Sequence, residues 1–306
     1  MRHLQIGLGL ALLLPAGCNT FPMTRGTGAQ AQPVARTSAE VPSKEAIIAY
    51  LNDNANRVQS LRCKDLDIGV KQGMQSVGLR GKVVCAKPRG FRLDATILGK
   101  QEVDVGSNEQ EFWFWMARNN PPHLFHCKYD DLSRGQVQMP FPFQPEWIME
   151  AMGLAECGPA ENAELKVNPT TLELVERAMS PTGMAVRKVT VIQRTPAQGS
   201  APQVTAHILQ DAQGKELVSA HVTEVQFDRA TGAIIPKKVR LVCPSEKLEL
   251  KLQFDDVQVN DPSIPQIAGR LFTRPNLSNV TSYDLARGVD PGPNGIRRIG
   301  GQQLQR

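Results

Sequence analysis

The sequence predicts a mainly β protein built on one curled antiparallel sheet of about 10–12 strands, with an amphipathic helix before the sheet and a second helix inserted into it. Two observations carry this. Alternation of period two recurs along the chain: Leu79, Val83 and Cys85 against Arg80 and Lys82; Phe91, Leu93, Ala95 and Ile97 against Arg92, Asp94 and Thr96; Leu248, Leu250, Leu252 and Phe254 against Lys247, Glu249, Lys251 and Gln253. Such patterns mark strands with one wet and one dry face. Noisier runs near 64–71, 101–105, 111–117, 123–129, 171–178, 185–194, 204–210, 217–227 and 234–242 are separated by turn residues at roughly the 8–14-residue spacing of all-β chains. The composition agrees. With 41% hydrophobic and 21% charged residues among 306, the chain can bury a core, while 22 Pro and 25 Gly break it too often for a coiled coil.

At the amino end, Arg2 and His3 precede an apolar run from Leu4 to Leu14, then Pro15-Ala16-Gly17-Cys18. The run is shorter than the roughly 18–20 residues needed to span a bilayer, and small residues follow it, so it reads as a secretory signal. It resembles a bacterial lipoprotein signal peptide, in which the Cys becomes lipidated and forms the mature N-terminus. Pro15 departs from that pattern, which prefers an aliphatic residue three places before the Cys. The resemblance makes 1–17 the signal and Cys18 the lipidation site; Asn19, where inner-membrane retention uses Asp, favours the outer membrane. The plain alternative is ordinary cleavage nearby with Cys18 left as a thiol. Residues 18–43, rich in Thr, Ala, Gln, Gly and Pro, read as a tether with a reach of roughly 25–30 Å.

Ile47, Leu51, Ala55 and Val58 follow at helical spacing, giving an amphipathic helix of about sixteen residues. Ser43 is its N-cap and Glu45 puts a carboxylate in the first turn, but Ala46 stands where a capping box needs Glu or Gln. The inserted helix runs from Pro145 to about Ala155, with Trp147, Ile148, Ala151, Met152 and Ala155 on a broad apolar face. Its apolar resting place is the dry side of the curled sheet, and the proline-rich stretch 138–145 reads as a connector. From 276 to 306 the chain reads as a disordered tail.

The net charge of +5 belongs mostly to the ends. Once Arg2, the tether (Arg25, Arg36, Glu40) and the tail (four Arg against Asp284 and Asp290) are set aside, residues 44–275 are nearly neutral. A near-neutral exported domain argues against a nucleic-acid partner.

The order of elements resembles the periplasmic lipoprotein carrier and acceptor family, LolA and LolB, over most of residues 44–275. The segments that carry the likeness are VQSLRCKDLDIGV after the helix, CAKPRGFRLDA at the third-strand entry, VDVGSNEQEFWFW, and FDDVQVNDPSIPQIAGRLFTRP at the close. The resemblance implies an incompletely closed barrel with a lid or plug helix, a cavity that takes acyl chains of lipids or lipoproteins, and no cofactor. Trp147, Ile148, Ala151 and Met152 are then the lid; Phe91, Leu93, Phe112, Trp113, Phe114, Trp115, Leu250 and Leu252 are candidates for the cavity wall. FWFW at 112–115 has no polar alternation; it could line the cavity or face a partner, and plain two-sided burial is the commoner case for such a run. The carrier latches its lid with an Arg before the third-strand Pro. The matching residue is Lys87, before Pro88, whose point charge lacks the planar fork and implies a weaker latch or none.

Of the six cysteines, five remain after Cys18. Cys63 and Cys85 flank a hairpin centred near Met74 and form the candidate disulfide. Leu66, Ile68 and Val70 define a dry face that leaves Cys63 on the wet side, so bridging requires a bulge near Lys64 or Asp65. His123, His126 and Cys127 do not converge on a regular strand, so no metal site is expected, and Asp104 reads as a turn residue. No nucleophile elbow or phosphate loop occurs, which points away from an enzyme. The expected function is a lipid-tethered, acyl-binding envelope protein anchored to the membrane by its N-terminus. The alternative is a structural or regulatory interaction protein on the same fold with its cavity self-filled.

Overall fold

The computed structural model describes residues 41–119, 122–134, 137, 145–180, 183–194 and 203–287. The signal, Cys18, most of the tether and most of the 138–145 connector lie outside them. Helix α1 spans Lys44–Asn56, three residues shorter than its apolar pattern suggests. The Ser43 hydroxyl accepts the Ala46 N–H at 3.1 Å, which is the expected cap. Ile47, Ile48 and Ala55 are its buried residues.

Fourteen strands follow: β1 (Ser60–Gln72), β2 (Gln75–Ala86), β3 (Gly90–Ile97), β4 (Lys100–Ser107), β5 (Glu111–Met116), β6 (Leu124–Lys128), β7 (Ala163–Val167), β8 (Thr171–Met179), β9 (Ala185–Gln193), β10 (Val204–Asp211), β11 (Glu216–Phe227), β12 (Ile234–Cys243), β13 (Leu248–Val259) and β14 (Ser282–Asp284). They make one sheet in the order β14-β6-β5-β4-β3-β2-β1-β13-β12-β11-β10-β9-β8-β7. Two meanders, β1 to β6 and β7 to β13, are joined where β13 returns beside β1. The edges β14 and β7 do not meet, so the sheet is not closed. Phe91 of β3 and Ala220 of β11 stand five strands apart in this order yet share one buried cluster. The sheet therefore curls around its inner face, as its number of twisted strands requires.

Two strands exceed the sequence expectation. β7 alternates Ala163, Leu165 and Val167 but is only five residues long, and β14 carries no apolar alternation. β14 also shortens the expected tail: Ser282–Asp284 pairs in parallel with β6, and Leu285–Arg287 forms a single 3-10 turn. The remaining helices are α2 (Tyr129–Ser133), α3 (Pro145–Ala151) and α4 (Ile264–Leu271). None of the helices among the described residues is long and apolar enough to cross a membrane.

The outer face over β2 and β3 is covered by α4 and the residue after it. Ile264 and Phe272 pack on Val84, with Ala86, Ala268 and Leu271 beside them. This helix was not expected; Pro265 near its start falls where a Pro is tolerated in a first turn. Farther along the same face, the Trp113 indole lies against Gly106 so closely that a Cβ there would stand 2.3 Å from the ring. Gly106→Ala is expected to cost about 1–3 kcal/mol by overpacking, read as a lower midpoint in urea unfolding with an unchanged slope.

Candidate functional site

Strand alternation puts the apolar set of each meander on one side. Leu66 and Ile68 of β1, Val83 and Cys85 of β2, Phe91 and Ala95 of β3, Val218 and Ala220 of β11, Val239 and Leu241 of β12 and Phe254 of β13 form one buried cluster. Leu93, Leu250 and Leu252 pack against it. Into this concave side α3 and the turn after it deliver Trp147, Met149, Ala151, Met152 and Leu154, all buried.

The helix is shorter than its sequence suggested, and Gly153 is the reason. Gly153 adopts φ 78°, its N–H reaches Glu150 O at 2.9 Å, and the Leu154 N–H reaches back to Met149 O at 3.0 Å. This is a Schellman stop, in which the apolar residue past the glycine packs near the one it hydrogen-bonds. It turns Leu154 inward and leaves Ala155 exposed, reversing the expected roles of these two residues. Met149 is buried where Ile148 was expected, while Ile148 is half-buried against the same cluster.

Among the described residues, polar links hold α3 and its exit in place at several points. Lys188 Nζ of β9 lies 2.7 Å from Glu150 Oε2. Asn52 of α1 clasps Cys157, accepting its N–H at 2.7 Å and donating to its carbonyl at 3.2 Å. The Gly158 N–H donates to Glu176 Oε1 at 2.7 Å. Lys87 Nζ donates to Ala55 O at the end of α1 at 2.9 Å and stands 3.8 Å from Glu156 Oε1. Lys87 thus bridges α1 and the exit of α3, making its one close bond to α1. Burial pulls the Lys87 amine below the usual lysine range, against the pull of Glu156.

On the concave side, among the described residues, lies a cavity of about 80 Å³, bordered by Tyr50, Glu150, Thr190, His207, Val222 and Ile235 among others. Small-molecule sites usually measure about 300–1,000 Å³. A larger depression of about 590 Å³ lies elsewhere, open to solvent at the β1–β2 and β3–β4 hairpin ends around Ile68, Gly69, Gly78, Arg80 and Leu98. None of the expected wall residues lines it. Phe91, Leu93, Leu250 and Leu252 do belong to the concave side. Phe112 and Phe114 instead join a second cluster with Phe125, Cys127, Tyr129 and Leu132.

Trp113 and Trp115 point to the opposite face, because β5 alternates: Trp113 pairs in register with Gly106 and Trp115 with Asp104. Trp115 Nε1 donates to Pro122 O at 3.1 Å. Trp113 Nε1 donates to Asp104 Oδ1 at 3.0 Å, and Arg92 meets Asp104 Oδ2 at 2.5 Å while donating to Thr273 O at 2.9 Å. Asp104, expected in a turn, is a fully buried strand residue that ties β3, β4 and β5 to the segment after α4.

The bulge required near Lys64 and Asp65 is present: the β1–β2 register shifts between Cys63 and Leu66. It carries Cys63 to the buried side, yet the candidate bridge to Cys85 is not formed, and Cys63, Cys85, Cys127, Cys157 and Cys243 are all thiols. Cys63 Sγ donates to the carbonyls of Asp65 and Asp255, each at 3.0 Å. Burial pushes the Cys63 thiol up to about 11 and that of Cys157 up to about 12, so neither is an activated nucleophile. His123 stacks on Tyr283 at 5.0 Å, and His126 faces Glu111 at 3.7 Å. Among the described residues no three His, Cys, Asp or Glu side chains group as metal ligands.

No family model and no curated protein matches the chain. Solved structures do. A protein domain described as outer-membrane lipoprotein-sorting, from Vibrio parahaemolyticus, aligns with TM-score 0.49 at 8% identity, covering 76% of this chain and 100% of its own. A DUF1329 family protein from Desulfovibrio piger aligns with TM-score 0.46 at 6% identity, covering 72% and 95%. A LolA superfamily protein from Nitrosomonas europaea aligns with TM-score 0.43 at 12% identity, covering 74% and 96%.

Burial pushes the Asp104 carboxyl up to about 6 from 3.8, against the pull of Arg92. The folded state therefore holds this proton more tightly than the unfolded chain, and the Asp104 contribution to stability falls as pH rises from about 4 to about 6, by on the order of 2–3 kcal/mol. Urea midpoints measured across that window should show this falling component in the wild type and lack it in Asp104→Asn.

Proposed function

We propose that the protein binds acyl chains of lipids or lipoproteins on the concave side of its sheet, in the space that α3 occupies here, and that it does so without catalysis. The observation that carries this reading is the nature of the filler. An apolar trough large enough to need five buried side chains is closed by a seven-residue helix and the turn behind it, with the Lys188–Glu150 ion pair joining it to the sheet and Asn52 clasping its exit. Isolated helices this short have no stability of their own, so α3 is held by its contacts alone and can be exchanged for another apolar body. Each methylene buried contributes about 0.8 kcal/mol, so ten supply roughly 8 kcal/mol toward displacing it. Met149 and Met152 line the exchange surface with side chains that repack readily. Lys87, placed between α1 and the exit of α3, serves in this reading as an auxiliary latch.

The 80 Å³ that remains with α3 in place favours a second reading, a non-catalytic interaction protein whose trough is permanently self-filled. Deleting residues 145–155 separates the two. Under acyl binding the variant folds and takes up a dansyl-labelled fatty acid faster than the wild type. Under permanent filling it loses several kcal/mol of stability and takes up nothing. Native mass spectrometry of gently purified wild type should also show bound lipid; a protein that is always empty and never takes up the probe rules the reading out.

The export and anchoring proposed from the sequence place this site at the cell envelope, with Cys18 lipidated and the outer membrane favoured. Radiolabelled palmitate should label the wild type and leave Cys18→Ala unlabelled; equal labelling of both would remove Cys18 as the anchor.

A further inference from the structure

Along β8, β9 and β10 the inner face carries Glu176, Lys188, Thr190 and His207 side by side. Lys188 is paired in register with Glu176 on one side and Leu209 on the other, and Thr190 is paired with His207. Thr190 Oγ1 and His207 Nδ1 are 3.4 Å apart. Glu176 accepts the Gly158 N–H at 2.7 Å through one oxygen and also faces the Lys188 and Glu150 charges, so it is a second carboxylate beside Lys188. The partner of the Lys188 ammonium is Glu150 of α3, at 2.7 Å, and both side chains are partly shielded, 37% and 18% exposed. Glu150, Thr190 and His207 also border the residual cavity, whose remaining wall includes Val204, Val222, Val225 and Ile235.

A carboxylate at the end of an apolar body, seated on a lysine inside an apolar trough, has the chemistry of an anionic amphiphile. We infer that Lys188, with Thr190 and His207 beside it, is the seat for the anionic headgroup, carboxylate or phosphate, of an amphiphile whose chain occupies the trough, and that Glu150 holds that seat while α3 is in place. The inference rests on the acyl-binding reading above and names its ligand class. Binding is then an exchange of one anion for another. When α3 withdraws, Glu150 leaves Lys188 as the ligand headgroup arrives, and the partly exposed ammonium keeps a close counter-charge throughout. An uncharged lipid fills the trough equally well but offers Lys188 no anion in place of Glu150, and so forgoes a charge-assisted hydrogen bond. Thr190 and His207 supply further polar groups to a headgroup with more than one oxygen.

The test is competition against a dansyl-labelled fatty acid on the full-length protein, using hexadecanoic acid, 1-hexadecanol and a hexadecanoyl lysophosphatidic acid. The wild type should prefer hexadecanoic acid to hexadecanol by about tenfold or more, the scale of one charge-assisted hydrogen bond. Lys188→Met should bring that ratio to about one while leaving hexadecanol at least as tight as before, and Lys188→Arg should keep the preference. Glu150→Gln should tighten the acid several-fold. Lysophosphatidic acid competing as well as the acid assigns the seat to both headgroups, whereas competing only as well as hexadecanol restricts it to carboxylates. Equal affinity for acid and alcohol in the wild type, or a preference that survives Lys188→Met, overturns the inference and leaves acyl binding standing. Failure of the protein to bind the probe or any competitor overturns both. Thermal melts of the variants establish that each has folded.

Discussion

Burial of the sheet's inner apolar face is the constraint on which the rest of the structure depends. Fourteen strands in one sheet expose far more apolar surface than a flat arrangement could hide, and curling brings distant strands such as β3 and β11 to one cluster. Curling alone does not fill the trough. The open edges between β14 and β7 leave the concave side short of a barrel's self-packed interior, and helices make up the difference. α1 buries Ile47 and Ile48 against the β7–β9 end, through Leu172, Leu174 and Ile192, while α3 fills the centre. The two fillers differ in kind. α1 is thirteen residues long with its own N-cap, whereas α3 is seven residues and depends on a glycine stop and its contacts.

The opposite face shows a different solution to the same problem. There α4 and Phe272 cover β2 and β3, and a buried Asp104 gathers Arg92 and Trp113 into one hydrogen-bonded group. A carboxylate removed from water is tolerated because both of its oxygens are bonded and a guanidinium neutralises it. This network ties β3, β4 and β5 to the segment after α4. On the concave side the Lys188–Glu150 pair joins a strand to the short helix α3, and in the proposed reading this charge pair is the point of release.

How much of this was legible in the sequence depends on whether one face of an element was plainly dry. β3 and β13 alternate cleanly, and their dry faces are readable from the pattern: Phe91 belongs to the inner cluster, and Leu93, Leu250 and Leu252 pack against it. FWFW has no polar alternation, so nothing in it tells Phe112 and Phe114 from Trp113 and Trp115; only the register with β4 assigns them to opposite faces. In β9 the two faces read Val186, Lys188, Thr190, Ile192 and Ala185, Arg187, Val189, Val191, Gln193, both mixed, which hid Lys188 as a concave-side cation. Asp104 reads as a turn residue because an acidic residue closely followed by Gly106 is a turn signal, yet its partners lie twelve residues before it and nine after it, beyond any local pattern. The end of α3 was the most recoverable miss. Gly153 followed by Leu154 is a helix stop with its apolar partner, and it outweighed the continuing apolar spacing toward Ala155.

In the acyl-binding reading α3 is a detachable filler of the concave side, distinct in stability from the sheet it rests on. Native-state hydrogen exchange reads this directly, because the Met152 and Leu154 amides are bonded within α3 and its stop, to the carbonyls of Ile148 and Met149. These amides should exchange through a local opening several kcal/mol easier than the strand amides of Leu241 and Phe254, and a saturating fatty acid should remove their protection while leaving the strands protected. Exchange of Met152 and Leu154 only through global unfolding, unchanged by the fatty acid, would contradict it.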